Sequence, residues 1–149
     1  MRTLFAIIIL STCCNVYAQR EDGAFNPDIK IRGSRWKSNI HCFVNENAEN
    51  YTLTPVSDLE WNWGNFISFS DSTFSTNYSA PCGLDCFTNV YGTYRLVGHN
   101  RVEIYVETIS RNGVCNEETG EFEINKSFGF YRFESRNDGL VEMTKVRQK

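Results

Sequence analysis

The chain has 149 residues, with 15 Lys or Arg against 18 Asp or Glu, so its formal net charge is −3. Phosphate binding depends on clustered cations, and the basic residues of this chain are scattered, so the composition argues against a nucleic-acid partner. The length predicts one domain of ordinary size. Aromatic residues make up 14% of the chain and favour strands, because their rings pack well on a pleated surface.

The first 18 residues have the features of a secretory signal peptide. Arg2 supplies a positive charge, the apolar run 4–10 follows, and the segment ends with Val16, Tyr17 and Ala18. Val16 at −3 and Ala18 at −1 fit the small-residue rule for cleavage after Ala18, leaving 131 residues with a net charge of −4. The apolar run is far shorter than the roughly 20 residues that span a bilayer. We therefore expect a secreted, extracellular protein without a transmembrane segment.

An alternative for this leader is lipidation. Residues 10–13 loosely match a bacterial lipoprotein box in which Cys13 would carry the lipid. Thr12 before the cysteine is a poor match, and the leader would be very short. Ordinary cleavage is the favoured interpretation, and a periplasmic or lipid-anchored protein is the alternative.

The rest of the chain is predicted to be a disordered leader at 19–28, a domain at 29–145 and a tail at 146–149. No segment keeps a helical period over more than two turns. Short segments with apolar alternation or β-branched and aromatic residues are predicted as strands. In chain order they lie within 29–44, 51–53, 59–70, 72–78, 87–97, 102–107, 122–124, 128–133 and 140–143.

The clearest local signal is a hairpin. Residues 87–97 and 102–107 both alternate, and the residues between them include Gly98 and Asn100, which are typical of a tight turn. Short strands at this spacing predict a sandwich or a barrel, and a barrel is favoured because successive hairpins close a sheet without exposed edges. The predicted fold is all-β: a single, disulfide-stapled, antiparallel up-and-down barrel of about eight strands, present as a monomer.

Four cysteines follow the predicted cleavage site, and an even number in an exported chain predicts disulfides. They are Cys42, Cys82, Cys86 and Cys115. A local Cys82–Cys86 bridge with a long-range Cys42–Cys115 bridge is favoured, while crossed pairings stay open. A zinc site built from Cys82, Cys86, Cys115 and either His41 or His99 is the alternative. Exported proteins mostly oxidise such thiols, so we expect no metal and no cofactor.

Three sequons would carry N-linked glycans if the source is a eukaryote. Their asparagines are Asn50, Asn77 and Asn125.

Gly33 and Trp36 lie at the start of the first predicted strand, and on these residues the chain resembles the lipocalin-like (calycin) barrels. In that family a Gly-x-Trp motif opens the barrel and the Trp plugs its closed end, whereas the spacing here is Gly-x-x-Trp. Arg147 is a possible counterpart to the arginine that covers this Trp. The segment from Cys86 to Cys115 also resembles small secreted META-type domains.

The lipocalin-like resemblance implies a non-enzymatic binding protein that holds a small apolar ligand in the barrel. Barrels of this size either fill with side chains or hold one small ligand. The aromatic side chains that could contact a ligand could therefore equally fill the core without one. The ligand-binding candidates are the aromatic residues Trp61, Trp63, Phe66, Phe69, Tyr94, Tyr105, Phe128 and Phe130.

Two other classes of function compete with this hypothesis. An enzyme is not expected, because the acid pairs and the two histidines form no recognisable catalytic constellation. An interaction or inhibitor protein is the alternative, since small disulfide-held exported domains often act through exposed loops. The loop from Ser79 to Phe87 would then contact another protein, with Pro81, Leu84 and Phe87 as contacts.

Overall fold

A computed structural model describes residues 29–56, 63–82 and 84–147. The predicted signal peptide and disordered leader lie outside the described residues. Within the described part, the chain forms strands and no helix. The strands are β1 (Ser34–Ser38), β2 (Asn50–Pro55), β3 (Gly64–Phe69), β4 (Thr73–Ser79), β5 (Cys86–Leu96), β6 (Arg101–Gly113), β7 (Gly120–Ser135) and β8 (Val141–Val146).

The eight strands close into one antiparallel barrel in the order β1-β2-β8-β7-β6-β5-β4-β3, with β3 pairing back to β1. From β3 to β8, each strand pairs with the next in the chain, as in an up-and-down barrel. β1 lies between β2 and β3. The predicted fold class is confirmed. In the described part of the chain, no helix has the length and apolar character needed to cross a membrane.

The predicted central hairpin is confirmed as β5 and β6, which pair from Cys86↔Gly113 to Leu96↔Val102. The register shifts between Tyr91 and Gly92, so the hairpin contains a bulge. Such bulges bend a strand and increase its twist, which helps a long hairpin to follow the curvature of a barrel.

The prediction of separate strands at 122–124 and 128–133 is wrong, because both belong to the 16-residue strand β7. The pairing of β7 with β6 shifts register twice. Near these shifts, Asn125 has a φ of 46° and Gly129 a φ of 93°. Each irregularity interrupts the apolar alternation, so one bent strand resembles two strands in the sequence.

The barrel interior is packed with side chains from every strand. They include Trp36, Tyr51, Ile67, Phe74, Val90, Ile104, Tyr131 and Met143. Gly33 has a φ of 70° in the turn before β1, and Trp36 is buried and donates its indole N–H to Ser34 Oγ at 2.6 Å. Burying each large apolar side chain contributes roughly 1.5–3 kcal/mol, so this core is the main source of stability.

The antiparallel order places three connections at the same end of the barrel, which we call the loop end. They are residues 39–49 between β1 and β2, 80–85 between β4 and β5, and 114–119 between β6 and β7. The short turns at 70–72, 97–100 and 136–140 lie at the opposite end, which we call the turn end. The longer connections at the loop end provide the more variable surface.

Candidate binding surface

The β1–β2 loop folds into the loop end of the barrel and buries Phe43 completely. The Phe43 ring meets the rings of Tyr51, Phe74 and Tyr131 edge-to-face, with centroids 5.5, 5.1 and 5.2 Å apart. The backbone N–H of Phe43 donates to the Tyr51 hydroxyl at 3.1 Å. These partners come from β2, β4 and β7, so Phe43 fills the space between different sides of the barrel.

The backbone of Phe43 is left-handed, with a φ of 61°. Such a conformation costs a residue other than glycine roughly 1–2 kcal/mol, and it is an outlier for a bulky side chain. Each aromatic edge contact contributes about 0.5–1.5 kcal/mol beyond burial. The three contacts therefore offset the backbone strain. The sequence carries no signal for this loop insertion, because Phe43 appeared to continue the first strand.

A buried polar network anchors the same loop beside Phe43. The Thr76 hydroxyl donates to the Cys42 carbonyl at 3.4 Å, and His41 Nε2 lies 3.0 Å from the same hydroxyl oxygen. Because a hydroxyl has a single hydrogen to donate, its oxygen accepts from the Nε2–H of His41. The Cys42 thiol donates to Ser38 Oγ at 3.2 Å. The loop thus satisfies its polar groups inside the barrel.

This burial keeps the Cys42 thiol protonated near neutral pH. Burial raises the pKa of the Cys42 thiol to about 12, against the opposing effect of the Ser38 hydrogen bond. Burial also raises the pKa of Tyr51 to about 12. The thiolate is the nucleophilic form of cysteine, so Cys42 is poorly suited to nucleophilic catalysis. These buried hydrogen bonds therefore stabilise the loop.

We predict that His41 makes the protein less stable in mild acid. Burial lowers the pKa of His41 to about 4, whereas an unfolded histidine titrates near 6.5. Between these values the unfolded chain binds a proton that the folded chain does not, so stability falls as the pH drops from about 6.5 to 4. Allowing for screening of a partly exposed ring, the loss should total roughly 1–3 kcal/mol.

Urea unfolding of the wild type and of His41→Gln at intervals between pH 7 and 4.5 would measure this effect. We expect the variant to lose most of the slope above about pH 5.5, where ordinary carboxylates are still ionised. An unchanged slope in the variant would show that the acid sensitivity has another source.

Exposed charges hold the outer side of the β1–β2 loop. Glu46 pairs with Lys126, the Lys145 ammonium donates to the Glu46 carbonyl at 2.6 Å, and Arg147 pairs with Glu49 at 2.7 Å. Arg147 thus contacts this loop. Each exposed pair contributes at most about 1 kcal/mol. These exposed contacts therefore fix the position of the loop and add little to the stability of the fold.

Two neighbouring cavities open on the outer surface beside these charges, with volumes of about 430 and 500 Å³. Lys145 and Val146 line both of them. Phe128 and Phe130 contribute apolar walls to the smaller cavity, while Glu46, Glu49 and Arg147 line the larger one. The charges of both signs already pair with one another, so the cavities do not define one class of ligand.

The predicted ligand-binding aromatic residues do not converge on one space. Phe69, Tyr94 and Phe128 belong to the packed core. Phe66 is buried outside that core cluster, with the Arg35 guanidinium 4.8 Å from its ring centroid. Trp63 and Tyr105 are exposed. Phe130 is half-buried and lines the smaller cavity. Trp61 lies outside the described residues.

A disulfide between Cys86 and Cys115 joins the start of β5 to the β6–β7 connection. The favoured pairing, Cys82–Cys86 with Cys42–Cys115, is therefore wrong. Cys42 is a buried thiol and Cys82 an exposed thiol. Sequence spacing failed here because Cys86 lies opposite Gly113 in the β5–β6 ladder, which brings Cys115 next to it, and Cys42 is drawn into the barrel with Phe43.

We call the described residues 80–82, 84–85 and 114–119, joined through this bridge, the stapled loops. The Val114 N–H donates to the Asp85 carbonyl at 3.3 Å, and the Tyr78 hydroxyl donates to Asp85 Oδ2 at 3.3 Å. Leu84 is 76% exposed and Val114 66% exposed. The bridge and these hydrogen bonds thus fix two exposed apolar side chains at the loop end. The sequence indicated Leu84 as a contact and missed Val114.

No group of three or more metal-ligating side chains is close enough to hold an ion anywhere in residues 29–56, 63–82 and 84–147. Of the three sequon asparagines, Asn50 and Asn125 are exposed, whereas Asn77 is half-buried within β4. Asn50 and Asn125 are therefore the more accessible positions for a glycan if the source is a eukaryote.

Comparison with protein-family models, curated proteins and solved structures finds no match to this chain. The closed eight-stranded barrel is compatible with a lipocalin-like fold. The molecule is thus defined by its geometry: a small antiparallel barrel with a filled interior and a disulfide-stapled loop end.

Proposed function

We propose that this chain is an exported, non-enzymatic binding protein that contacts another protein through its stapled loops. The observation that carries this proposal is the pair Leu84 and Val114, the two most exposed of the large apolar side chains in the described residues. Contiguous exposed apolar surface is typical of interaction sites, and both side chains lie on connections at the loop end. The Cys86–Cys115 bridge joins these connections and accords with an oxidising compartment.

The size of the expected effect follows from burial. Removing a side chain of this size from water contributes roughly 1.5–3 kcal/mol, and a few such anchors commonly carry most of the affinity of an interface. A constrained loop also loses little conformational freedom on binding. Two anchors on the stapled loops could therefore support a specific interaction without a large interface.

The test is a binding measurement with a charged substitution at the centre of the proposed surface. Proteins retained from the native secretion medium by the wild type would be measured again with Leu84→Asp. We expect at least about a tenfold loss of affinity, equivalent to 1.4 kcal/mol. The matched control is Leu96→Asp, because Leu96 is an exposed leucine of β5 at the turn end. Equal binding by both variants and the wild type would reject the stapled loops.

A second candidate is a small apolar ligand held in the barrel, as the lipocalin-like resemblance implies. One observation favours it: Phe43 occupies an aromatic enclosure while its backbone is left-handed, and strained residues often mark functional sites. If the β1–β2 loop withdraws, the enclosure of Tyr51, Phe74 and Tyr131 would accept an apolar ring.

This candidate predicts saturable binding of fatty-acid or retinoid-like fluorescent probes by the wild-type protein. Apolar pockets of this kind bury most of the surface of a ligand, so probe emission should shift to the blue and compete with unlabelled ligand. A linear, non-competable response over the whole titration would exclude a barrel ligand. Partner binding at the stapled loops could still hold in that case.

A further inference from the structure

Three cysteine sulfurs lie at the stapled loops. Cys86 and Cys115 form the disulfide, and Cys82 is an exposed thiol four residues before Cys86. The Tyr78 hydroxyl lies between the surroundings of Cys82 and the residue next to this bridge. Its pKa is raised by desolvation and by the nearby Asp85 and Cys82, and it donates to Asp85 Oδ2, in the residue adjacent to Cys86. A free nucleophile and an exchangeable bond therefore share one end of the barrel.

We propose that Cys82 attacks this disulfide and makes the staple exchangeable between two pairings. The Cys82 thiol first loses its proton to water, and the thiolate attacks Sγ of Cys86. The Cys82–Cys86 bond forms as the Cys86–Cys115 bond breaks, and the electron pair leaves on Cys115, which takes a proton from water. One disulfide is lost and one is gained, so no oxidant or reductant is consumed.

The positions of the residues favour this exchange. Cys82 is solvent-exposed, and Cys86 and Cys115 are only half-buried, so water and the thiolate have access to the bridge. Cys42 cannot compete, because it is buried beneath the β1–β2 loop and its thiol pKa is raised to about 12. The attacking thiol is thus Cys82.

Exchange would change the loop end without unfolding the barrel. After Cys115 is released, the β6–β7 connection keeps the Val114–Asp85 hydrogen bond and the Arg111–Glu117 ion pair, at 3.3 and 2.8 Å. The covalent link between the stapled loops is lost, so Val114 is held less firmly beside residues 80–85. If the proposed partner binds there, exchange regulates that site, but the exchange reaction itself requires no partner.

The experiment maps disulfides in the folded mature protein over time at pH 8. Aliquots are acidified, treated with N-ethylmaleimide, digested without reduction and analysed by mass spectrometry. We expect a Cys82–Cys86 bridge and alkylated Cys115 to accumulate in equal amounts, at a rate independent of protein concentration. The rate should rise with pH, because the thiolate is the nucleophile.

Two variants make the result specific. Cys82→Ser should retain only the Cys86–Cys115 bridge, whereas Cys42→Ser should exchange like the wild type. The proposal is overturned if wild-type Cys82 stays fully alkylated and Cys86–Cys115 is the single bridge at equilibrium. A Cys82–Cys115 bridge would overturn the assignment of Cys86 as the attacked sulfur. Neither result bears on the Leu84→Asp test, so the two proposals fail separately.

Discussion

Replacing Phe43 with alanine should lower the free energy of unfolding by about 3–5 kcal/mol, the usual cost of truncating a fully buried phenylalanine. The ring contacts Tyr51, Phe74 and Tyr131 on three separate strands. These rings belong to a closed barrel, so they cannot collapse freely into the space that is left. The cavity therefore adds to the lost burial, and the cost should lie in the upper part of this range.

Guanidinium unfolding monitored by tryptophan fluorescence would measure the loss. The matched control is Ile40→Ala, which removes an exposed apolar side chain from the same loop and should change stability by no more than about 0.5 kcal/mol. If Phe43→Ala and Ile40→Ala cost the same, the β1–β2 loop does not close the barrel in solution. The second candidate function would then lose its structural basis.

The β5–β6 hairpin shows what the sequence could predict. Its two alternating runs flank a turn at Gly98, and Val90, Tyr94 and Ile104 face the core as the alternation requires. Both the period and the turn are local properties of the chain, so they appear in the sequence. Closure of the barrel could be predicted from the number of short alternating strands, because a closed sheet leaves no exposed edge.

The candidate sites depended instead on contacts between distant residues. His41 and Thr76 are 35 residues apart, and the Cys86–Cys115 bridge spans 29. No local pattern specifies that Phe43 adopts a left-handed backbone and points into the barrel. The predicted ligand-binding rings were chosen by residue type, and type alone does not distinguish a core ring such as Phe69 from an outer ring such as Tyr105.

The second large effect concerns Gly92, at the bulge of the β5–β6 hairpin. A Cβ atom at this position would lie 2.1 Å from the Tyr105 carbonyl oxygen and 2.9 Å from Phe74 Cε1. The first contact is with the backbone of the paired strand, which no side-chain rotation can relieve. Gly92→Ala should therefore lower the free energy of unfolding by about 3 kcal/mol, the upper end of the usual cost of overpacking.

Gly98→Ala separates this steric effect from the general cost of replacing a glycine. Gly98 has a φ of 77° and no atom within 4 Å of an added Cβ, so alanine there should cost only about 1–2 kcal/mol through its backbone conformation. Gly92 does not have a positive φ, and its larger cost would come from separating β5 and β6. Because that ladder leads from the bulge to Cys86, the strain should also be visible as faster amide exchange along β5. Equal costs for the two variants, with unchanged exchange in β5, would mean that the strands at the bulge lie further apart than described.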